Sequence, residues 1–487
     1  MEGDLKRKNI LSLEPGLEKR RVKRRALYLG EGHQVQVKRI SGENFQAEIV
    51  ELSAEGMTIS CETESFSLSP GELISVCYQV PGVEANPVYA IVLNQSEQSF
   101  LGRTSRRVGL SYVGEPRLPE DAERRHSKRF LCSQEFPPIA FCEEALFLQE
   151  FLYFKLHEIS ANGARLRISD HFNSLIPGLI IELKVFFPTE GVLAQKVEIK
   201  SIQLSSDLSH SFVSVKCLGD LKAWRQRAGS YLFFHGLASS KALRRAGLYE
   251  KDSYRGMRVC HPESEEDWQK ILELRLQAYQ AVGKFKTAKE RGDMLDRYDS
   301  FSRQLLCRLG QDIIACSRIV FVGKDPDRSE HHALGVEIPD FLWKEGFVEV
   351  SRACAKPEYW GSDSFTVLLR HMGRIVYQSG FRYMVANCNP NLWPLYKKIG
   401  FKKTGVVFAA FGTEDCNLIV MDIKRVFEVR DASFVGFNLI SLPPVEYIHQ
   451  REHSTPLRIR WLLRLHRILN PLIRKVFFWL KSRKKRL

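Results

Sequence analysis

The sequence lacks several features that would place the protein in a specialised class. No run of about 18 uncharged apolar residues occurs, which argues against a membrane-spanning helix. Residues 1–21 lack the apolar core of a secretory signal. The eleven cysteines include no CxxC pair, which argues against a disulfide framework or a zinc site. We therefore expect a cytoplasmic protein with scattered thiols, no metal and no tightly bound cofactor.

Acidic residues are absent from the segment 456–487, which carries eleven lysines and arginines. The whole chain has 72 basic and 57 acidic residues, a formal net charge of +15, so the rest of the chain has 61 basic residues against 57 acidic ones, or +4. Because the basicity is concentrated in a tail and no nucleic-acid-binding module is evident, we expect no nucleic-acid partner. At roughly 100–200 residues per domain, the length of 487 residues predicts two to four domains.

The first half of the chain contains a repeat. Six residues recur at a constant offset of 107: Glu51, Ser53, Gly56, Pro70, Gly71 and Pro81 align with Glu158, Ser160, Gly163, Pro177, Gly178 and Pro188. Around these positions apolar and polar residues alternate over short runs separated by turn residues. This pattern is typical of antiparallel strands, and its duplication predicts two small barrels.

A basic cluster precedes each repeat, with Arg21 and Arg25 before the first copy and Arg125 and Arg129 before the second. Two guanidinium groups four residues apart on a flexible segment can bind phosphates and stack on a purine. Together with the Ser–Gly turn, the cluster resembles the PilZ domain over about residues 15–235, as copies at 15–118 and 119–235. The resemblance implies cyclic di-GMP as a regulatory ligand, and it implies the contact residues Arg21, Arg25, Ser53, Gly56, Arg125, Arg129, Ser160 and Gly163.

One position departs from the PilZ pattern, because Glu51 and Glu158 stand where that family has Asp or Asn. The longer side chain moves the carboxylate by about an ångström. The alternative hypothesis is that either barrel is kept for packing alone, with its arginines solvated.

After a linker at 236–255, helical spacing and isolated strands alternate, which predicts a mixed α/β sheet over 256–430. We expect helices at 264–282, 365–381 and 391–401 and strands at 312–323, 347–355 and 383–388. The closing segment, with Asn387, Tyr396, Gly400 and Phe401, resembles that of the GCN5-related N-acyltransferases (GNAT). The loop YWGSDS keeps only Gly361 of that family's glycines and adds Asp363, so a coenzyme A diphosphate is poorly provided for.

A series of charged residues resembles, over about residues 256–412, the GNAT branch of N-acyl amino acid synthases and acyl-homoserine-lactone synthases. That branch has an arginine on its first helix, a DxxD pair, a strand-closing arginine and an E-x-S-R strand. The matching residues here are Arg275, Tyr279, Asp296, Asp299, Arg318, Glu349, Ser351 and Arg352. Phe285 stands where an aromatic pair including Trp would be expected, so specificity for the acyl chain or acceptor is not implied.

These residue types suit acyl transfer from a thioester to an amine. Glu349 is expected to act through water as the general base if burial raises its pKa towards neutrality. Arg318 and Arg352 could hold an acceptor carboxylate or pair with Asp296 and Asp299. Asn387 and Tyr396, with Arg275, Tyr279 and Ser351, are expected to bind substrate. The alternative is a buried structural ion-pair network.

A covalent route through Cys354 is disfavoured, since no His lies near that residue in the sequence.

The C-terminal extension, 431–487, ends in the basic tail. On a helical wheel Leu457, Trp461, Leu462, Leu465, Ile468 and Leu469 share one arc, opposite Arg460, Arg464 and Arg467. Pro471 is expected to divide this segment into two short helices. The pattern favours binding to an anionic inner membrane leaflet. Docking of an acyl carrier protein and packing onto the tail's own domain are the alternatives.

The sequence thus predicts a multidomain α+β protein with two small antiparallel PilZ-like β-barrels, a mixed α/β N-acyltransferase-like sheet and a C-terminal amphipathic helical tail. Its predicted function is to move a fatty acyl group from acyl carrier protein, or alternatively acyl-coenzyme A, to the amine of an amino acid or similar acceptor, under the control of cyclic di-GMP. The alternative function is that of a non-catalytic effector whose acyltransferase-like domain only binds a partner.

Overall fold

The computed structural model describes residues 25–26, 33–53, 55–61, 67–79, 84–100, 103–113, 128–143, 151–169, 175–205, 209–284, 288–409, 415–451 and 455–484. The chain divides into two compact units, Met1–Ala228 and Gly229–Leu487. The predicted ligand residues Arg21 and Arg125 lie outside the described residues, as does Phe285.

The first barrel is a closed ring of six antiparallel strands. Its segment of the chain contains β1 (Arg25–Ala26), β2 (Gln34–Arg39), β3 (Asn44–Leu52), β4 (Gly56–Cys61), β5 (Leu73–Gln79), β6 (Glu84–Ala85), β7 (Val88–Phe100) and β8 (Arg103–Val113). The ring runs β3-β2-β5-β7-β8-β4, and β4 pairs back onto β3. Alternate residues of these strands, such as Val35 and Val37 in β2, are fully buried, which explains the alternation in the sequence.

The second barrel repeats this architecture. Its strands are β9 (Phe130–Leu131), β10 (Ile139–Glu143), β11 (Phe151–Ser160), β12 (Gly163–Ser169), β13 (Leu179–Phe187), β14 (Gly191–Leu204) and β15 (His210–Cys217). Strands β10-β11-β12-β15-β14-β13 form the ring, which closes where β10 pairs with β13. Strand β6 extends from the first barrel and pairs with β13 of the second.

The second unit is built on a seven-stranded mixed sheet. Its strands are β16 (Met257–Cys260), β17 (Ser302–Leu309), β18 (Asp312–Gly323), β19 (Phe347–Ala355), β20 (Tyr383–Cys388), β21 (Lys402–Ala409) and β22 (Asp415–Asp422). They lie in the order β16-β17-β18-β19-β20-β22-β21, and only β19 and β20 pair in parallel. Val320, Phe347, Val385 and Leu418 form part of the core.

The described α-helices are α1 (Leu221–Phe234), α2 (Ser240–Arg245), α3 (Glu265–Ala281), α4 (Glu330–Ala333), α5 (Asp340–Glu345), α6 (Ser364–Gln378), α7 (Trp393–Ile399), α8 (Ile423–Phe427), α9 (Phe434–Gly436), α10 (Leu442–Arg451) and α11 (Leu457–Lys484). Short 3₁₀ helices cover Ser253–Gly256, Arg291–Met294, Arg297–Phe301, Pro326–Arg328, Pro357–Tyr359 and Pro390–Leu392, and a π-helical turn covers Phe437–Ser441. The fold class expected from the sequence is confirmed, including the three strands predicted at 312–323, 347–355 and 383–388.

The tail differs from the prediction in one respect, because α11 continues through Pro471 as a single helix. Pro471 is exposed, so the backbone carbonyl that loses its hydrogen bond one turn earlier can be solvated. The helix packs through Ile459, Leu463 and His466, whereas Trp461 and Ile468 of the predicted apolar arc are 65% and 74% exposed. Among the described residues, no helix has the length and hydropathy needed to cross a membrane.

Candidate functional site

The site lies where two parallel strands of the mixed sheet diverge. Strands β19 and β20 pair only over Phe347–Glu349 and Tyr383–Val385. Beyond this point a cavity of about 130 Å³ opens between them. The pairing of β18 with β19 shifts register between Arg318 and Cys316, because β19 has one extra residue there. Arg352 lies in this bulge at a φ of 53°, a conformation that is uncommon for a non-glycine residue, and its side chain reaches the cavity wall.

The cavity has an apolar side and a polar side. The side formed by α6, β20, the Pro390–Leu392 turn and α7 is mostly apolar and includes Phe365, Leu369, Met372, Met384, Ala386, Leu392 and Phe401, together with the polar Asn387, Asn389 and Tyr396. The side formed by α3 and the residues after it, by α4 and by β19 is more polar and includes Tyr279, Lys284, Glu330, His331, Ser351 and Arg352, together with Leu334, Val350 and Ala353. One cavity therefore offers both a surface for a hydrocarbon chain and a surface for a charged molecule.

Arg318 is the centre of a buried ion-pair network beneath the polar side. Its side chain is fully buried. Its Nη1 donates to Asp296 Oδ1 at 2.5 Å and to Asp299 Oδ1 at 2.9 Å, and its Nη2 donates to Glu330 Oε2 at 2.9 Å. Its Nε donates to the Ser351 hydroxyl at 3.0 Å. Arg318 is therefore occupied by protein groups and does not line the cavity.

Arg275 holds the other side of Asp299. The two side chains form a bidentate pair, with both N–O distances at 3.0 Å. Arg275 also donates to Gln304 Oε1 and to the Met294 carbonyl. Burial and the hydrogen bonds and charges of its partners act in opposite senses on Asp299, and the partners prevail, so the pKa of Asp299 is lowered.

Arg352 connects this network to the cavity. Its Nη2 lies 2.6 Å from Asp296 Oδ2 and 3.5 Å from Glu330 Oε1. Burial opposes the ionisation of Asp296, but hydrogen bonds and charges from Arg318 and Arg352 outweigh it and lower the pKa of Asp296 to about 2. The network thus pairs three arginines with three carboxylates, and the pairing alternative for Arg318 and Arg352 is the one that the structure shows.

Glu349 has a different environment from the one expected. Its side chain is fully buried, with 0% of its surface accessible to solvent, and it does not line the cavity. Ser329 donates its hydroxyl proton to Oε1, and the Glu330 N–H donates to Oε2 at 2.8 Å. Burial raises the pKa of Glu349, but the adjacent His331 and these hydrogen bonds lower it by more than burial raises it, so the net shift of the pKa is downward. The condition set for Glu349 as general base, a pKa raised towards neutrality, is not met.

The structure separates the predicted acyltransferase residues into two groups. Those that line the cavity are Tyr279, Ser351, Arg352, Asn387 and Tyr396. Those that lie outside it are Arg275, Asp296, Asp299, Arg318 and Glu349. Sequence reasoning missed Lys284, Glu330 and His331, which also line the cavity. The available signal was the polar SEHH segment at 329–332, but no spacing rule placed it beside β19.

Two further features of the second unit bear on the chemistry. Cys354 Sγ lies 3.6 Å from Cys316 Sγ, and that neighbour and burial raise the pKa of Cys354 well above its usual value, which disfavours a thiolate nucleophile. At the start of α6 the Asp363 carboxylate accepts hydrogen bonds from the Ser253 hydroxyl at 3.0 Å and the Tyr254 N–H at 3.3 Å. A negative charge therefore lies where a helix N-terminus could otherwise bind a phosphate.

In both barrels the described end of the basic segment lies beside the Ser–Gly turn. Strand β1 pairs Arg25 with Leu52, and β9, which follows Arg129, pairs Phe130 with Ile159. The glycine in each turn is required by packing. A Cβ at Gly56 would lie 1.9 Å from the Leu110 carbonyl oxygen, and one at Gly163 would lie 2.0 Å from that of Val215.

The serine hydroxyls in these turns are buried and bonded within the protein. Ser53 Oγ donates to the Gly56 carbonyl at 2.9 Å, and Ser160 Oγ donates to the Gly163 carbonyl at 3.1 Å. In this structure each hydroxyl helps to close its turn.

The outer face of the second barrel is basic. Arg129 Nη1 lies 3.2 Å from Glu158 Oε2, and Arg165 Nη1 lies 3.8 Å from Glu158 Oε1. Arg165 also lies over the Phe212 ring at 4.3 Å, and Arg167 is exposed beside it on β12. The described part of this face thus carries three arginines, and two of them lie within 3.8 Å of the Glu158 carboxylate, so this face can attract a dianion.

A larger cavity of about 550 Å³ lies between the two barrels, beside the turn of the first. Its described charged residues are Glu55, Glu198 and Lys200, and the last two pair at 2.7 Å. The remaining carboxylate makes this cavity unfavourable for a dianion.

Comparison with protein families identifies part of the second unit. The family described as Acetyltransferase (GNAT) domain matches residues 274–370, which begin in α3, end in α6 and include the ion-pair network. This part of the chain is therefore a GNAT acetyltransferase domain, which confirms the expected acyltransferase class at that level. No curated protein matches the sequence.

Solved structures show partial likenesses. FeeM, an N-acyl amino acid synthase from uncultured soil microbes, is 12% identical over 34% of this chain and 91% of its own, with a TM-score of 0.28. Escherichia coli YcgR in complex with c-di-GMP is 14% identical over 40% of this chain and 80% of its own, with a TM-score of 0.18. Escherichia coli ElaA is 14% identical over 34% of this chain and 97% of its own, with a TM-score of 0.24.

Proposed function

We propose that the protein transfers a fatty acyl group from a carrier-protein thioester to the amine of an amino acid or a similar small acceptor. The observation that supports this proposal is the two-sided cavity at the divergence of β19 and β20. Its apolar side suits an acyl chain, and its polar side suits an ionised acceptor. Arg275, Asp296, Asp299 and Arg318 serve as positioning residues that fix the polar wall, and Arg352 is the member that faces the substrate.

The acceptor's carboxylate is the group that the polar side is best able to bind. Lys284 lines the cavity and forms no ion pair with any residue that the structure describes. Its position follows from the end of α3, where its N–H donates to the Tyr279 carbonyl at 2.9 Å. Lys284 lines the same cavity as Arg352 and provides a positive charge for an anionic acceptor.

The proposed donor is a carrier protein rather than coenzyme A. Asp363, hydrogen-bonded at the start of α6, opposes a diphosphate at that helix end. We expect purified protein to use an acyl carrier protein thioester more efficiently than the matching acyl-coenzyme A. A preference for coenzyme A would leave the enzyme class intact and change the donor.

Mass spectrometry of lipid extracts from overproducing cells tests the reaction class without assuming a substrate. New N-acylated amines are expected with the intact protein and with the surface variant Arg382→Ala, and not with Arg352→Ala. Circular dichroism on both variants checks that they are folded. Extracts identical to the empty-vector control, even with raised cyclic di-GMP, would contradict the proposal and favour the non-catalytic effector.

We also propose that cyclic di-GMP binds the outer face of the second barrel and regulates the enzyme. The arginines at 129, 165 and 167 and the aromatic ring of Phe212 support this assignment. The Ser–Gly turn would shape the surface through its backbone, since its hydroxyl is already bonded. The first barrel lacks the equivalent of Arg165. Thr58 occupies that position, and its hydroxyl donates to Glu51 at 3.4 Å.

Helix α11 is proposed to bind an anionic membrane surface. Its exposed apolar row contains Leu457, Trp461, Leu465, Ile468 and Leu472, each between 49% and 74% exposed. Exposed arginines at 460, 464 and 467 lie on the same helix. An apolar row with cationic neighbours fits the interfacial region of an anionic bilayer, where a lipid product would also partition.

A further inference from the structure

A buried histidine–glutamate pair forms part of the polar cavity wall. His331, in α4, and Glu349, in β19, are 2% and 0% exposed. His331 Nδ1 lies 3.0 Å from Glu349 Oε1, an ion-pair distance, although the ring is not aligned for a straight hydrogen bond. His331 lines the cavity and Glu349 does not.

The contacts of Glu349 determine what the pair can do. The Ser329 hydroxyl and the Glu330 N–H each donate to one of its carboxylate oxygens. With both oxygens engaged and no access to the cavity, this carboxylate cannot reach a substrate amine. It can orient and stabilise the imidazole beside it.

The two ring nitrogens of His331 have different surroundings. Nδ1 faces Glu349, which leaves Nε2 as the nitrogen available to a molecule in the cavity. Nε2 forms no hydrogen bond with any residue in the described part of the chain. The ring packs edge-on against Phe408 at 5.8 Å, which limits its movement.

We infer that His331 is the general base of the acyl transfer and that Glu349 is its positioning residue. This inference rests on the proposed function. It gives Glu349 a positioning role in place of the water-mediated general-base role considered from the sequence, and it assigns the proton transfer to a residue that the sequence analysis did not select.

The acceptor enters as an ammonium ion, and Nε2 takes one proton from it. The amine lone pair then forms a C–N bond with the thioester carbonyl carbon, and the C–S bond breaks as the tetrahedral intermediate collapses. The second nitrogen proton passes to the leaving thiolate, which gives the amide and the thiol. The imidazolium returns its proton to water.

The charges around the ring favour this role. Glu349 and Glu330 are the carboxylates near His331, while Arg352, Lys284 and the neutral Tyr279 lie on the same wall. In the network the positive charges of three arginines balance the negative charges of three carboxylates. The negative charge of Glu349 lies outside this balance, and a proton taken up by the imidazole compensates it. Burial lowers the pKa of His331, but the Glu349 charge raises it by more than burial lowers it, so the net shift of the pKa is upward.

The closing experiment measures kcat/KM against pH for the full-length protein with the donor and acceptor that wild type uses. His331→Gln is expected to lose about 100-fold or more in kcat/KM. The matched control is His332→Gln, the exposed neighbour, which is expected to keep the wild-type rate. Added imidazole is expected to restore part of the activity of His331→Ala, which a merely structural role would not allow.

A second variant keeps the inference testable if His331 variants do not fold. Wild-type kcat/KM should rise with pH through the pKa of His331, and in Glu349→Gln the midpoint should move to lower pH because the nearby negative charge is gone. An unchanged rate in His331→Gln, or an unchanged midpoint in Glu349→Gln, would overturn the dyad while leaving product formation intact. Failure of wild type to form any product would instead refute the proposed function.

Discussion

The Arg318 guanidinium illustrates how much of the site depends on one buried cation. Three carboxylates and a hydroxyl accept hydrogen bonds from it, and none of them is fully exposed. Removing this cation would leave Asp296, Asp299 and Glu330 with only two arginines between them. Because buried carboxylates without partners are costly, the network must be treated as one unit in any mutational experiment.

The Arg318→Ala substitution is therefore expected to lower the free energy of unfolding by about 3–5 kcal/mol, since it leaves an uncompensated buried charge. Urea denaturation followed by circular dichroism measures this change. The control is Arg382→Ala, whose side chain is 44% exposed and pairs with Asp422 at 3.0 Å. The control should cost less than about 1 kcal/mol. Equal losses in the two variants would show that the network contributes no more than a surface pair.

Lys284 allows a test of acceptor recognition at a single residue. Lys284→Ala is expected to raise KM for an amino acid acceptor roughly 10-fold or more with little change in kcat, because a charged hydrogen bond present in both the ground and transition states is lost. The measurement is steady-state kinetics, with Lys289→Ala as the exposed control. An acceptor without a carboxylate should show no difference between Lys284→Ala and wild type. A similar loss with that acceptor would contradict the assignment.

The sequence was sufficient to bring most of these residues together and insufficient to give their roles. Arg275, Asp296, Asp299, Arg318 and Arg352 meet in one ion-pair network, which is the alternative that the sequence analysis left open. The sequence could not predict which of these side chains reach the cavity. The bulge at Arg352 directs that side chain to the cavity, whereas Glu349, three residues earlier on the same strand, is buried. His331 comes from a short helix whose position depends on tertiary packing.

At the level of elements, the strands were predicted well because their alternation has a direct physical cause. Alternate side chains of β11, such as Leu152, Phe154 and Leu156, enter the barrel core and leave the intervening ones outside. The course of α11 was predicted less well. A proline argues for a break, but the rule does not account for an exposed site where water can replace the lost hydrogen bond.

The pairing of β12 with β15 provides a test of the motif glycines. In Gly163→Ala the new methyl group would lie 2.0 Å from the Val215 carbonyl oxygen, so the two strands must separate. We expect a loss of about 1–3 kcal/mol in the free energy of unfolding, measured without nucleotide. Gly56→Ala should behave alike because of the same clash with Leu110.

The control for this prediction is Gly373→Ala in α6. The nearest atom to its added Cβ is at 3.9 Å, an ordinary contact, and alanine favours the helix. A fully stable Gly163→Ala protein would contradict the packing role and leave nucleotide contact as the reason for this glycine.

Helix α11 gives a second prediction at this scale. The double variant Trp461→Ser with Ile468→Ser removes two exposed apolar side chains from the row, so cosedimentation with vesicles containing anionic lipid should fall several-fold. Neutral vesicles should bind wild type weakly, because the arginines contribute to attraction. The control is Ile40→Ser with Phe136→Ser, which removes exposed apolar residues from the barrels. Equal binding by wild type and the α11 variant would refute the membrane surface.

At the scale of the whole molecule, the question is how a ligand on the second barrel could influence the enzyme. Helix α1 makes direct contact with the Ser–Gly turn of that barrel. Trp224 Nε1 donates to the Ser160 carbonyl at 2.9 Å, and Arg225 Nε donates to the Ala161 carbonyl at 3.1 Å. Arg225 Nη2 also donates to Asn162 Oδ1 at 2.7 Å. The chain of α1 then continues beyond Ala228 into the residues of the second unit.

A nucleotide that alters the 160–163 turn would therefore act on α1 through three hydrogen bonds. We expect cyclic di-GMP to change the rate of acyl transfer, with its half-maximal effect at the concentration that half-saturates binding in calorimetry, since binding and coupling are linked. Arg129→Ala should weaken both together, because it removes a cation from the binding face. Lys184→Ala, on another part of the second barrel, should change neither.

Arg225→Ala separates binding from coupling. It removes two of the three hydrogen bonds from α1 to the turn and leaves the basic face of the barrel unchanged. Nucleotide affinity should remain within a few-fold of wild type, while the response of the transferase rate should shrink, because a ligand can shift the enzyme only through contacts that differ between its states. A variant that binds nucleotide and still responds fully would exclude α1 as the connection, and the coupling would then have to act through other contacts of the first unit.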